Sequence, residues 1–252
     1  MFSLKSFDFS SVIWGNVVIH PRVEAIITMS SDCLHGELLC SITTKNESIS
    51  PEFFFQNLPE EEHVTLFKLL LSAISADPES TKYTISLNTP IQVIRNLNLF
   101  FESFVNNKQR LALELLETDI QKYSAHEYGL LNKINHLPNI NLWLDDFGTN
   151  QSNFDIVNSS RVNLHAIKVS KELFWTLFET DKQFLESLLS YLSKKHMVIV
   201  EGIEDKNHFK FISNLKKINM QGCSAQLNQD TFLREFSCSS SYSTGDRSLL
   251  AV

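Results

Sequence analysis

Short apolar runs, most of them closed by an acid, an amide or a glycine, recur along the chain with helix-length stretches between them. Residues 23–29 and 33–42 are the first two. Residues 83–87, 110–117, 142–144, 163–169 and 197–200 follow, with a last short run at Met220. The stretches between them read as helices. Ser50-Pro51-Glu52 opens one as cap and first-turn proline, and Val64, Phe67, Leu71 and Ile74 recur at helical spacing in the next. The helical pattern over 171–195 has a break expected near Thr180-Asp181. Strands alternating with helices over one domain's length predict a mostly parallel sheet, and seven or eight such units favour closure into a barrel. The expected class is α/β, with residues 1–22 as an N-terminal extension, 23–236 as the domain and the Ser-rich 237–252 as a disordered tail.

Within this pattern Leu142-Trp143-Leu144-Asp145-Asp146-Phe147-Gly148-Thr149 carries the most chemistry. An apolar run delivers two adjacent carboxylates to a glycine turn, at the strand end where parallel α/β folds place reactive groups. Neighbours within one strand face opposite sides, so the two acids converge only if the strand ends there, as Gly148 suggests. Taken alone, the pair reads more readily as a solvated turn. Its company changes that reading.

Glu37, Asn88, Glu114, Lys168, Glu201 and Gln221 also stand on or near the ends of apolar runs. Each by itself is more often structural, but a barrel gathers the C-terminal ends of its strands at one mouth. Carboxylates with an amide carbonyl form an oxygen-only set, which suits Mg²⁺ or Mn²⁺. No His/Cys set has zinc-like spacing; His35 shares a strand face with Glu37 but stands alone. A net charge of −7 gives no support to a phosphate-binding surface for polymeric nucleic acid, while a small anion remains open if cations offset the acids. The four cysteines form no C-x-x-C pair, Met1 to Ser11 lacks a signal-peptide core, and no apolar run reaches the length of a membrane span. The expected setting is the cytoplasm, without a membrane partner.

Seven segments stand in order over about residues 23–235: Glu37-Leu38-Leu39, Ser86-Leu87-Asn88, Glu114-Leu115-Leu116-Glu117, Asp145 to Thr149, Ile167-Lys168-Val169, Glu201-Gly202-Ile203-Glu204 and Gln221-Gly222. Together they resemble the EAL family of cyclic di-GMP phosphodiesterases, whose naming motif corresponds to Glu37-Leu38-Leu39. The resemblance implies a TIM-barrel-like (β/α)8 barrel with an irregular first strand. It implies that Glu37, Asn88, Glu114 and Asp145 bind a divalent metal and that Asp146 helps to hold a second, giving two Mg²⁺ or Mn²⁺ ions per site. Lys168 would orient the attacking water and screen the phosphate, and Glu201 would be the general base. Gln221 would support the neighbouring acids, Glu117 would steady the loop after Asp146, and Glu204 closes its motif. The implied reaction is hydrolysis of cyclic di-GMP to linear pGpG. A homodimer is the assembly the resemblance allows.

The sequence departs from the family where substrate contacts are implied, at Glu24, Leu39 and Ser41. Glu24-Ala25-Ile26 aligns with the usual Gln-Pro-Ile, Ser41 takes the place of an arginine, and Ser170, Asn150-Gln151 and Leu116 replace other frequent residues. None of these removes an implied metal ligand. The alternative expectation is a weak or inactive module that acts as a cyclic di-GMP receptor or through a protein partner.

Overall fold

The computed structural model describes residues 7–28, 34–45, 47–106, 108–149, 154–215 and 217–222. The chain enters through two short strands, β1 (Phe7–Asp8) and β2 (Val12–Trp14), both antiparallel to the long β3 (Val17–Ile26). Next, β4 (Leu34–Thr43) runs antiparallel to β3, with Glu24 opposite Glu37 and Arg22 opposite Leu39. The two-residue β5 (Ser48–Ile49) pairs with the end of β4. From β4 the sheet continues in parallel through β6 (Tyr83–Asn88), β7 (Arg110–Leu116), β8 (Ile140–Phe147), β9 (Ala166–Val169), β10 (Met197–Val200) and β11 (Ile218–Met220). Reciprocal backbone bonds of 2.9 and 3.0 Å between Ile27 and Met220 then tie the segment after β3 to β11. The ring is thereby closed, a TIM-barrel-like barrel whose irregular first strand runs against the others.

Two expectations need correction. The boundary placed after residue 22 falls inside β3, because Val18 to Arg22 already pair with Leu39 to Thr43. Pro21 looks like a strand breaker, but its carbonyl accepts from Phe9 N–H at 2.9 Å. The edge of Pro21 that lacks a donor therefore faces away from β4, and no bond of that ladder is lost. The second correction concerns how the two acids converge: β8 ends at Phe147, beside Gly148, but Asp145 and Asp146 both lie within the strand. The register against β9 shifts between Leu144 and Phe147, and Asp146 adopts φ +58°. This bulge, with a left-handed aspartate inside it, breaks the alternation that would otherwise send the two acids to opposite faces.

The expected break in the long helical pattern is present: helices Lys171–Thr180 and Lys182–Leu192 meet at Asp181, whose carboxylate caps the second through Phe184 N–H at 2.9 Å. The helices cover the barrel with a continuous apolar layer. Inside the barrel sits a separate small cluster of Ile26, Ala112, Trp143, Ala166 and Ile199. The fully buried indole of Trp143 fills the space that the alanines leave, so the barrel is a packed core with one open end. No described helix is long and apolar enough to cross a membrane. The Ser-rich tail at 237–252 lies outside the described residues.

Candidate active site

The period of two along a strand builds the site directly above that interior layer. Two residues beyond Ala112 comes Glu114, beyond Trp143 comes Asp145, beyond Ala166 comes Lys168, and beyond Ile199 comes Glu201. On β4 the step is from His35 to Glu37, and on β6 from Ser86 to Asn88. Small or aromatic residues pack below, and charged residues stand at the mouth. Burial pushes His35 down to about 4, so it is a neutral member of the lower layer, 5.8 Å from the Trp143 ring.

Lys168 is the centre of the mouth. Its Nζ lies 3.0 Å from Glu37 Oε2, 3.2 Å from Glu114 Oε1, 2.9 Å from Asp145 Oδ1 and 2.8 Å from Glu201 Oε1, and the side chain is 1% exposed. Burial alone would strip the charge, but Asp145, Glu114, Glu37 and Glu201 outweigh it and hold the ammonium well above the ordinary lysine range. Glu37 is also held by the amide of Gln221 at 2.6 Å and by Asn88 Nδ2 at 3.4 Å. Four acids around one cation leave excess negative charge in a buried place. Burial and Glu37 push the Glu114 carboxyl well up, with Lys168 only partly opposing. Glu201, half-buried, is pushed up to about 7, first by burial and then by Asp145 and Glu37 acting against Lys168. Burial and the adjacent Asp145 raise Asp146 to about 6.

The arrangement has the character of a cation site. Glu114 Oε2 and Gln221 Oε1 are buried acceptors without a hydrogen bond, while Glu114 Oε1 and Asp145 Oδ1 meet the Lys168 ammonium at 3.2 and 2.9 Å. Asp145, Asp146 and Glu201 each offer an oxygen within 4.8 Å of the others. Oxygen donors only, in excess of the local positive charge, fit a hard divalent ion.

Other residues singled out in the sequence divide clearly. Glu117, buried, accepts from Gly148 N–H at 3.2 Å and from the Thr149 hydroxyl at 3.0 Å, and so holds the turn that follows Asp146. Gly148 has φ +101°, and a Cβ there would come within 2.3 Å of Leu173 Cδ2, so the turn requires glycine. Glu204 stands apart on the surface, bonded to Lys171 Nζ at 3.0 Å. Burial and Glu37 raise Glu24, the residue opposite Glu37 in the ladder. Ser41 is exposed at the outer part of β4. Leu39 lines a cleft of about 630 Å³ that adjoins the mouth, bounded also by Arg22, Phe55, His63, Asn88 and Asp146. That cleft and the Trp143 plug went unnoticed in the sequence. Period two would have given Trp143, but nothing local marks Arg22 or Phe55.

A model of the EAL domain family matches residues 19–225. The chain belongs to the EAL domain family. The cyclic di-GMP phosphodiesterase PdeH of Escherichia coli (strain K12) is 37% identical over 84 residues, a stretch that spans 32% of this chain and 32% of that protein. Among solved structures, the EAL domain of FimX from Pseudomonas aeruginosa bound to c-di-GMP superimposes with a TM-score of 0.69 at 14% identity, over 81% of this chain and 88% of that one. The EAL-like domain protein YdiV gives 0.64 at 18% identity, over 85% of this chain and 96% of that one. At these identities the structural likeness speaks for the EAL fold alone.

The raised acids of this EAL domain set its stability against pH. Glu201 at about 7 and Asp146 at about 6 lie above their ordinary values of 4.5 and 3.8. Between those limits the folded protein holds more protons than the unfolded chain, so this contribution to stability falls as pH rises through about 4 to 7 and stays low above. The stabilisation from Lys168 persists throughout, since its loss requires pH above the ordinary lysine range. In chelator, the melting temperature is expected to be lower at about pH 8 than at about pH 5, and divalent cations should raise it more at the higher pH. A metal-free protein that melts higher at the alkaline end would contradict this balance of charge.

Proposed function

We propose that this EAL domain is a metal-dependent phosphodiesterase that opens cyclic di-GMP to linear pGpG. The observation that carries the reading is the convergence of four carboxylates, Glu37, Glu114, Asp145 and Glu201, on the single cation Lys168, with Glu114 Oε2 and Gln221 Oε1 buried and without a hydrogen bond, beside an apolar cleft. Glu37, Asn88, Glu114 and Asp145 would hold one divalent ion, and Asp146 with Glu201 would contribute to a second. Such ions, when bound, supply the Lewis acidity that makes water nucleophilic near neutral pH and balances charge on the phosphate.

The chain's own groups account for the rest. Water adds to phosphorus, the bond from phosphorus to the 3′ oxygen breaks, and that oxygen takes a proton from solvent as it leaves. Glu201, at the edge of the cluster and pushed up to about 7, is poised to take the proton from the attacking water. Lys168 screens the charge that develops on the phosphate while keeping the acids together. Glu117 fixes the turn over Gly148 and Thr149, and with it the placement of Asp146.

Glu201→Gln should bind cyclic di-GMP about as well as the parent chain but turn it over roughly a hundredfold slower or worse. Unchanged turnover would remove Glu201 from the role of base. A second reading, a receptor without turnover, draws on Glu24, which adds a fifth acid against Glu37 and opposes an anionic ligand. It predicts binding without product in both proteins.

A further inference from the structure

The substrate read for this site carries two phosphodiesters, and the acid cluster can serve only the one that reacts. The cation at the centre is not available to the other, because Lys168 is enclosed by four carboxylates. The second phosphate must therefore find its charge along the cleft beside the mouth. That cleft is walled mainly by apolar side chains such as Leu39, Phe55 and Pro90. Two basic side chains line it, Arg22 and His63. Burial lowers His63 from its ordinary value and so disfavours its charged form. Arg22 offers an exposed guanidinium, whose planar fork of donors suits phosphate oxygens.

Position supports the same residue. Arg22 precedes Glu24 by two residues on β3, so both project from one face of the strand. Glu24 is opposite Glu37, and Arg22 is opposite Leu39. The guanidinium is thus rooted about 7 Å along the strand from the acid cluster, one repeat of the pleat. On the same face of β4, the next residue after Leu39 is the small, exposed Ser41, which leaves room for a long side chain to lie across it.

We propose that Arg22 binds the non-reacting phosphate of the cyclic dinucleotide and so sets substrate affinity without entering the chemistry. The proposal rests on the phosphodiesterase reading of the site. A charge-assisted contact of this kind predicts that Arg22→Ala raises Kd and KM by about ten- to a hundredfold. Turnover at saturation should change little. Arg22→Lys should recover most of the affinity, since an ammonium still meets phosphate oxygens as a point charge.

The test is cyclic di-GMP binding to the full chain in chelator, at low and high salt, beside steady-state turnover with Mn²⁺. The melting temperature of each variant is recorded as a control. Weaker, less salt-dependent binding by Arg22→Ala with kcat retained and Arg22→Lys restored is the expected result. Wild-type-like Kd and KM in Arg22→Ala would overturn the assignment while leaving the enzyme reading intact. Equal loss in both variants would also overturn it, because it would indicate a planar contact to a base edge instead of a phosphate. A parent chain that neither binds nor hydrolyses cyclic di-GMP would overturn the functional reading itself, and the role of Arg22 with it.

Discussion

Lys168→Met is expected to lower the melting temperature of the metal-free protein at about pH 8 by on the order of 10 °C, and to leave no measurable turnover. Removing one partner from a buried ionic cluster destabilises by about 3–5 kcal/mol, because the remaining charges lose their compensation. Here four carboxylates share a single ammonium at 2.8 to 3.2 Å, so the penalty falls on all of them at once. Methionine nearly matches the lysine stem in volume, which keeps the loss electrostatic. The sign with pH separates charge from packing. At about pH 5 the raised acids Glu114 and Glu201 can take up protons, and the loss should shrink. An equal loss at both pH values would show that Lys168 acts through packing alone.

Glu37→Gln and Asp145→Asn should each reduce hydrolysis of cyclic di-GMP by roughly a thousandfold or more, the scale set by several kcal/mol of metal-derived stabilisation. Glu37 is the hub of the polar network, receiving Lys168 at 3.0 Å, Gln221 at 2.6 Å and Asn88 at 3.4 Å. Asp145 is shared between the lysine and the oxygen group formed with Asp146 and Glu201. Both substitutions preserve shape and remove one negative charge from a cluster with an excess. The metal-free variants should therefore melt no lower than the parent at about pH 8, while the rise in melting temperature with Mn²⁺ disappears. This combination distinguishes a lost ligand from a damaged fold. Full activity in either variant would remove its residue from the metal assignment.

Much of this site is visible in the sequence because a barrel converts strand order into convergence. Glu114, Asp145, Lys168 and Glu201 each stand at or near the end of an apolar run, and the fold brings those ends to one mouth. What the residues do not display is direction or distance. Apolar alternation in Val17–Ile26 is the same for a parallel or an antiparallel strand, so the reversed β3 had no local signal. His20, Pro21 and Arg22 interrupt the apolar residues of β3, so the sequence does not display Val17–Ile26 as one strand. The bulge at Asp146 depends on pairing with β9, and a ladder partner is a long-range fact. The contact between Lys168 and Glu37 joins residues 131 apart in the chain. The cleft is likewise a product of packing between β3, β4 and the helices Pro51–Gln56 and Glu60–Ala76, none of which marks it alone.

The chemistry itself is decided by product formation from cyclic di-GMP with purified protein, in Mg²⁺, in Mn²⁺ and in excess chelator. The expected result is pGpG in the presence of at least one of the metals, at a rate that saturates with metal and vanishes in chelator. No product with either ion, while cyclic di-GMP still binds, would contradict it and make the domain a receptor.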